Sequence, residues 1–298
     1  MIDISFFNKI ELQNYPNSTL YVLATPIGNI FDITLRALYV LSIVDSIACE
    51  DTRNTNNLIM QYGLSKILFS AHKYNEYKVT NTIITKLKNK ERIALVSDSG
   101  TPTISDPGSY IINAVQNAGL RVLPIPGVSS VITAFCISGL KNKNFYFLGF
   151  LPIKKKKRKE MLISLINIKS TLILYEAPHR IIKTVHELLK IFGPMRQIVF
   201  AKELTKKFEK IHRCFLKDAF DWLNKDNHKK GEFVLLIEST CLVNNINDIN
   251  DIHNNKKIDN ILKSLLKILT LKQTIELASN LTGSKKNVLY KRALFLKK

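Results

Sequence analysis

Leu20-Tyr21-Val22-Leu23-Ala24-Thr25-Pro26-Ile27-Gly28-Asn29 decides how the rest of this chain is read. An apolar run of this length is a buried strand, and the Thr-Pro-Ile-Gly-Asn that ends it is a tight turn. The same grammar recurs downstream. Glu50-Asp51-Thr52-Arg53, Val96-Ser97-Asp98-Ser99-Gly100-Thr101-Pro102, Ile125-Pro126-Gly127-Val128-Ser129-Ser130 and Tyr175-Glu176-Ala177-Pro178-His179-Arg180 each follow an apolar stretch. Ligands of open α/β sheets collect at strand carboxyl ends, so small, polar and turn-forming residues recurring there describe one composite site.

Outward from that first strand, Asp32 is placed to cap a helix carrying Leu35, Leu38 and Leu41, and Ser46 to Cys49 gives the next strand. A helix around Thr80 to Leu87 and a strand at Ile93 to Val96 follow. Asp106, Pro107 and Gly119 mark the start and end of a helix over 107–118. Val122 to Ile125 is then a strand and Ser129 to Ser138 a small-residue helix. Strand and helix alternating in this way predict a mainly parallel sheet. After a break at Gly139 to Asn144, strands at Phe145 to Phe150, Thr171 to Tyr175, Ile198 to Ala201 and Phe233 to Ile237 predict a second α/β unit.

The expected organisation is therefore an N-terminal α/β domain over 1–139, a second over 140–240, a linker over 241–255 rich in Asn, Asp and Ile, and a helical module over 256–298. In the module, Leu262, Leu265, Leu266 and Leu269 form one stripe, Ile275, Leu277 and Ala278 a second, and Gly283 with Ser284 open a third helix. The arrangement looks like a helix-turn-helix.

Lys and Arg number 44 against 24 Asp and Glu in 298 residues, a formal charge of +20. Such an excess suits a polyanion: nucleic acid, an acidic membrane surface or a polycarboxylate. Heavy use of Lys, Asn and Ile throughout is the compositional alternative for any single lysine. Lys154-Lys155-Lys156-Lys157-Arg158-Lys159 is the densest run, and six adjacent cations need counterions, which RNA phosphates supply; a solvated loop is the competing reading. Cys49, Cys136, Cys214 and Cys241 are far apart, which argues against a zinc site or a disulfide framework and fits a reducing cytoplasm. No metal is expected, and no apolar run approaches a membrane span.

The first turn lacks the later glycines of G-x-G-x-x-G, so a nicotinamide or flavin dinucleotide is not supported. Val96 to Pro102 is the stronger block, with a carboxylate, hydroxyls and a glycine that suit the ribose, amine and carboxylate of a nucleoside cofactor. Asp51, Arg53, Lys202 and Glu203, at predicted strand exits and next to opposite charges, are candidate catalytic groups; a salt bridge is the competing role for each.

Together these blocks, with Asp32 to Leu38 and Lys202-Glu203-Leu204-Thr205-Lys206, resemble the tetrapyrrole methylase superfamily from Leu20 to Glu238, most closely its branch that methylates ribose in small-subunit ribosomal RNA. Lys285 to Leu294 is similar to that branch's C-terminal module. The resemblance implies two α/β domains with a cofactor cleft between them. It implies S-adenosylmethionine as donor, 2′-O-methylation of a cytidine in the decoding region, and a homodimer. Pro26, Asp98, Ser99, Gly100, Thr101, Ile104, Ser129, Ser130 and Tyr175 or Glu176 would meet the donor. Ser99 stands where the family usually has Ala. The partner would be small-subunit ribosomal RNA or the assembled small subunit. Two rivals are carried forward: a C-methyltransferase of a porphyrin precursor, and a non-catalytic RNA-binding protein of ribosome assembly. The first is disfavoured by the Thr25 to Asn29 turn and the basic tail, and the second predicts no donor binding.

Overall fold

A computed structural model describes residues 9–225, 228–239, 251–284 and 286–296. The chain divides into two compact units, residues 1–240 and 241–298.

The first unit holds two five-stranded sheets. In chain order the first half runs β1 (Thr19–Leu23), α1 (Leu35–Ile43), β2 (Ser46–Cys49), α2 (Thr52–Gln61), β3 (Ile67–Ser70), α3 (Glu76–Lys88), β4 (Arg92–Val96), α4 (Ser109–Asn117), β5 (Arg121–Ile125) and α5 (Ser130–Ile137). Its strands are ordered β3-β2-β4-β1-β5, and every pairing is parallel. Alternation divides their side chains between two cores. Tyr21, Leu23, Ile47, Cys49, Ala94 and Val96 pack on Val40 and Leu41 of α1 and Ile59 of α2. Leu20, Ala48, Ile93 and Leu95 pack on Ile83 and Leu87 of α3 and on Ile111 and Val115 of α4. A sheet covered on both faces explains why its strands read as unbroken apolar runs.

The second half runs β6 (Phe145–Phe150), α6 (Lys155–Ser164), β7 (Thr171–Glu176), α7 (Ile181–Phe192), β8 (Gln197–Lys202), β9 (Lys210–Phe215), α8 (Ala219–Leu223) and β10 (Phe233–Ile237). The order is β6-β7-β10-β8-β9, with β6 and β7 parallel and the remaining pairings antiparallel. One face carries Leu172, Leu174, Ile198, Phe200 and Leu235 against α6 and α7. The other carries Ile173, Val199, Ala201, Val234 and Leu236 against Val131 and Ala134 of α5 and against Ile27. Through α5 and the β1 turn, the first half thus rests on the second sheet.

Several local expectations shift. Asp32 ends a 3-10 turn begun by Asn29, whose Oδ1 accepts from the Phe31 N–H, and Thr34 caps α1 by accepting from the Ala37 N–H at 3.1 Å. Asp106 caps nothing: α4 starts at Ser109 behind Gly108 at φ 125, whose N–H donates to Glu76. Gly119 follows α4 in the left-handed region, as expected. The helix α2 and the strands β3 and β9 were not anticipated from the sequence.

In the second unit, α9 (Asp251–Leu265), α10 (Leu271–Thr282) and α11 (Lys286–Leu296) enclose Leu262, Ile275, Ala278, Leu289 and Ala293. Helix α9 begins inside the expected linker; 241–250 and Lys285 lie outside the described residues. Gly283, at φ 66, ends α10, and the third helix opens at Lys286. Arg292 of α11 forks onto Asp259 of α9 at 2.8 and 2.9 Å. Among the described residues no helix is long and apolar enough to cross a membrane, and no cluster of His, Cys, Asp or Glu could hold a metal ion.

Candidate active site

Three loops at the carboxyl ends of β1, β4 and β5 are stitched into one wall. Thr25 and Gly100 exchange backbone hydrogen bonds at 2.9 and 3.0 Å, and Thr25 Oγ1 donates to the Ser97 carbonyl. Thr101 Oγ1 donates to the Val128 carbonyl at 3.0 Å. A left-handed backbone at Gly100 (φ 80) and the close approach of Gly127 to Ala24 need residues without a β-carbon. The facing wall comes from the second sheet. Tyr175 of β7, Val234 of β10 and Ala201 of β8 stand side by side by register, on the face that looks toward α5.

Between the walls lies a cavity of about 350 Å³, bordered by Ile27, Ser99 to Thr101, Ile104 to Asp106, Ser129, Ser130, Phe150, Tyr175 to Pro178, Ala201, Leu204 and Glu232 to Val234. Its size and mixed lining suit a nucleoside-sized ligand. Ser130 Oγ and the Tyr175 hydroxyl are 2.7 Å apart, joining the halves across it. Burial raises the Tyr175 phenol above its usual range, so it stays protonated. A second seal forms where Gly28 meets the turn after β8: the Asn29 N–H donates to Thr205 Oγ1 at 3.0 Å, and a β-carbon on Gly28 would lie 2.5 Å from Lys206 Cγ.

Of the residues expected at the donor, Ser99, Gly100, Thr101, Ile104, Ser129, Ser130, Tyr175 and Glu176 border this cavity, whereas Pro26 and Asp98 do not. The Pro26 carbonyl accepts from Ser99 Oγ at 3.4 Å, which is where the extra hydroxyl of Ser99 goes. Asp98 turns toward α2, accepting from the Asp51 N–H and from Asn54 Nδ2 at 3.0 and 2.9 Å. Glu176 lines the cavity with its side chain fully engaged, taking bonds from Arg180, Thr184 and the Ala177 N–H.

None of the four candidate catalytic groups borders the cavity. Asp51 caps α2 and is forked by Arg53, whose bonds hold its carboxyl down to about 2, too acidic for a base near neutrality. Arg53 is itself 86% exposed. Lys202 ends β8 one residue after Ala201, so alternation turns it toward the opposite face, with Phe200. There it is buried, and desolvation lowers its ammonium below the usual lysine value. Glu203, at φ 51, accepts from the Glu232 N–H at 2.8 Å and pairs with Lys206, so it fastens the turn to β10.

Sequence reasoning read Asp106 as a structural cap rather than a ligand. In the structure it lines the cavity, and burial together with the charges of Glu50 and Asp98 pushes its carboxyl up to about 6. Two left-handed residues, Thr103 (φ 73) and Ser105 (φ 72), precede it. For a β-branched threonine this conformation is strained. The signal lay in Ser-Asp-Pro-Gly, which a helix start explains equally well.

The basic run also divides. Lys154 to Lys157 and Lys159 are exposed at the start of α6. Arg158 is 8% exposed and turned inward, with Nε and Nη2 bound to Glu187 at 2.7 and 2.8 Å and Nη1 bound to the Pro152 and Ile153 carbonyls. It is a structural residue, not one available to RNA.

Comparison with known proteins agrees with this architecture. The profile of Tetrapyrrole (Corrin/Porphyrin) Methylases matches residues 19–219, and that of the RsmI C-terminal HTH domain matches 254–297. The Ribosomal RNA small subunit methyltransferase I of Haemophilus influenzae is 41% identical over 276 residues, 92% of this chain and 96% of that protein. The protein of the same name from Vibrio cholerae is 42% identical over 288 residues, 95% and 97% of the two chains. Among solved structures, uroporphyrin-III C-methyl transferase from Thermus thermophilus complexed with S-adenyl homocysteine superposes with a TM-score of 0.52 at 16% identity, covering 73% of this chain and 96% of that one. That likeness establishes the fold. By profile and by relatives along nearly its whole length, the chain belongs to the tetrapyrrole methylase family, in the group of the ribosomal RNA small subunit methyltransferases I.

Proposed function

We propose that this chain transfers the methyl group of S-adenosylmethionine to the ribose 2′-oxygen of a cytidine in the decoding region of small-subunit ribosomal RNA. The observation that carries the reading is the cavity itself, about 350 Å³ between two interlocked halves, in a chain 41% identical to a Ribosomal RNA small subunit methyltransferase I. The residues present fit a nucleoside donor. Ser129 and Ser130 offer hydroxyls where α5 begins without a side-chain cap, the backbone of Ser99 to Thr101 borders the space, and Ile27, Leu204 and Val234 give apolar surface for a base. When bound, the sulfonium supplies a methyl carbon open to displacement. The protein's part is to hold that carbon in line with the incoming oxygen and to manage one proton.

The acceptor side is assigned to positive charge. Five exposed lysines, Lys154 to Lys157 and Lys159, and the basic helices α9, α10 and α11 provide phosphate contacts, as the named relatives' substrate requires. A porphyrin precursor is the weaker reading, since the likeness to uroporphyrin-III C-methyl transferase, at 16% identity, bears on fold alone. We assign residues 1–139 and 140–240 to two domains that clasp the donor, and the C-terminal module to RNA. A cytoplasmic homodimer acting on naked RNA or on the assembled subunit completes the reading. Ile132, Ile137, Phe145 and Tyr146 are exposed, and a second copy would cover apolar side chains of this kind.

Calorimetry with S-adenosylmethionine, together with mapping of ribose methylation in small-subunit RNA with and without the protein, tests the proposal. Saturable donor binding and one cytidine that loses its 2′-O-methyl group without the protein are expected. An unbound donor, or an unchanged methylation map, rejects it.

A further inference from the structure

On the reading that this cavity serves ribose methylation, we propose that Asp106 is the base that takes the proton from the acceptor hydroxyl. The cavity has three carboxylates, Asp106, Glu176 and Glu232. Glu176 is buried with both oxygens already bound by Arg180, Thr184 and the Ala177 N–H. Glu232 is 79% exposed and paired with Lys206 at 2.9 Å. Asp106 is partly buried, close to Ser97, with no cation among the groups that set its charge.

The groups facing Asp106 are Glu50 beyond β2, Asp98 beyond β4 and the Tyr175 phenol of β7; the first two are acidic and repel its proton loss. His72 in turn faces Glu50 and partly offsets it. Burial and these neighbours leave the carboxyl at about 6, between an ordinary aspartate and neutrality, where a base is ionised at working pH yet holds a proton better than a surface carboxylate. The chain enters this position through a strained turn, with Thr103 and Ser105 both in the left-handed region.

In the step itself, the ribose O–H bond breaks toward an Asp106 carboxylate oxygen. The freed pair forms the new O–C bond to the methyl carbon, and the C–S pair returns to sulfur, leaving a neutral thioether. The proton then passes from Asp106 to solvent. Charge balances without a metal or redox partner.

Asp106→Asn removes the base and keeps the shape. Methyl transfer to small subunits should fall by roughly 100-fold or more, and the acidic limb of kcat/KM, near pH 6 in the parent, should vanish. Donor affinity by calorimetry should stay within about twofold, as for a group that acts on the acceptor. Asp106→Glu should recover part of the rate. Stability gives a readout independent of catalysis. A carboxyl with a raised folded-state value weakens the fold once ionised, so D106N should melt higher than the parent at pH 8, with the gap closing as pH drops toward about 4. An active parent whose D106N variant loses less than about fivefold and keeps the limb overturns the proposal; so does a D106N variant that loses donor binding in proportion to rate. A parent that binds donor but methylates no ribose rejects the functional reading, and this proposal with it.

Discussion

Replacing Arg158 with alanine should unsettle the fold without touching RNA, although it sits in the middle of the most basic stretch of the chain. Its guanidinium makes two bonds to Glu187 at 2.7 and 2.8 Å and two to the carbonyls of Pro152 and Ile153, and the two charged side chains are 9% and 15% exposed. Removing one partner of a buried pair strands the other, at about 3 to 5 kcal/mol. The lower end applies here, because the stranded Glu187 side chain keeps 15% of its surface in contact with water. For a unit of this size, ~3 kcal/mol lowers Tm by about 6 to 12 °C. The sign with pH is fixed as well. Arg158 lowers the Glu187 carboxyl below its usual value, so the pair stabilises above the unfolded value of about 4.3 and fades as pH falls through the folded one. The difference between parent and Arg158→Ala should therefore shrink on acidification. The contrasting variant replaces Lys154 to Lys157 and Lys159 with glutamine. It should melt within about 1 to 2 °C of the parent yet flatten the salt dependence of RNA binding by up to about 3.5 in log–log slope, at ~0.7 per phosphate contact. Calorimetric melting and binding titrations at several salt concentrations read both quantities. An R158A variant that melts like the parent but binds RNA with a flattened slope would refute the inward assignment.

Other perturbations separate the remaining parts. Tyr175→Phe deletes the hydroxyl that meets Ser130 across the cavity at 2.7 Å; donor affinity should fall roughly fivefold, the worth of one net hydrogen bond, and unchanged calorimetric affinity would count against the bridge. Gly28→Ala would set a β-carbon 2.5 Å from Lys206 Cγ and 3.0 Å from the Leu204 carbonyl. It should cost about 1 to 3 kcal/mol by overpacking, seen as a lower Tm together with weaker donor binding. Leu289→Ala opens a core of only a few buried residues in the C-terminal unit. At about 2 to 5 kcal/mol this rivals the whole stability of so small a module. Amide exchange should show 251–296 unprotected while residues 9–239 keep their protection and donor binding persists.

Where a residue's environment is set by its near neighbours, the sequence disclosed it; where a distant partner sets it, the sequence did not. Strands β1, β4 and β10 were legible because a sheet covered on both faces needs unbroken runs such as Phe-Val-Leu-Leu-Ile. Strand β9, Lys-Ile-His-Arg-Cys-Phe, lies at an edge and carries exposed polar groups, so no unbroken apolar run announced it. Helix α2 begins Thr-Arg-Asn-Thr-Asn-Asn, with only Thr55 and Ile59 buried, too sparse a stripe to betray a period. The cavity wall was readable in its small residues, because Gly100 and Gly127 are there for backbone reasons that composition records.

The catalytic candidates lie outside the cavity lining for a specific reason: nearness to a strand end was read as facing the cleft. One residue of alternation separates Ala201, which borders the cavity, from Lys202, which shares the Phe200 face. A parity check would have removed the lysine, since Val199 and Ala201 are the small apolar members of the run and a donor cleft needs room. Arg158 carried a similar clue: on a helix it falls one turn before Leu162, on the same stripe, so it turns inward with that leucine. Glu187, its partner, lies 29 residues on in α7, a distance no local pattern spans. Asp106 is the converse case. Ser-Asp-Pro-Gly satisfied a helix start so well that a ligand role for its carboxylate was set aside. Only the fold, by burying this aspartate and bringing Glu50 from the end of β2 beside it and Asp98 of its own loop, pushes its carboxyl up to about 6.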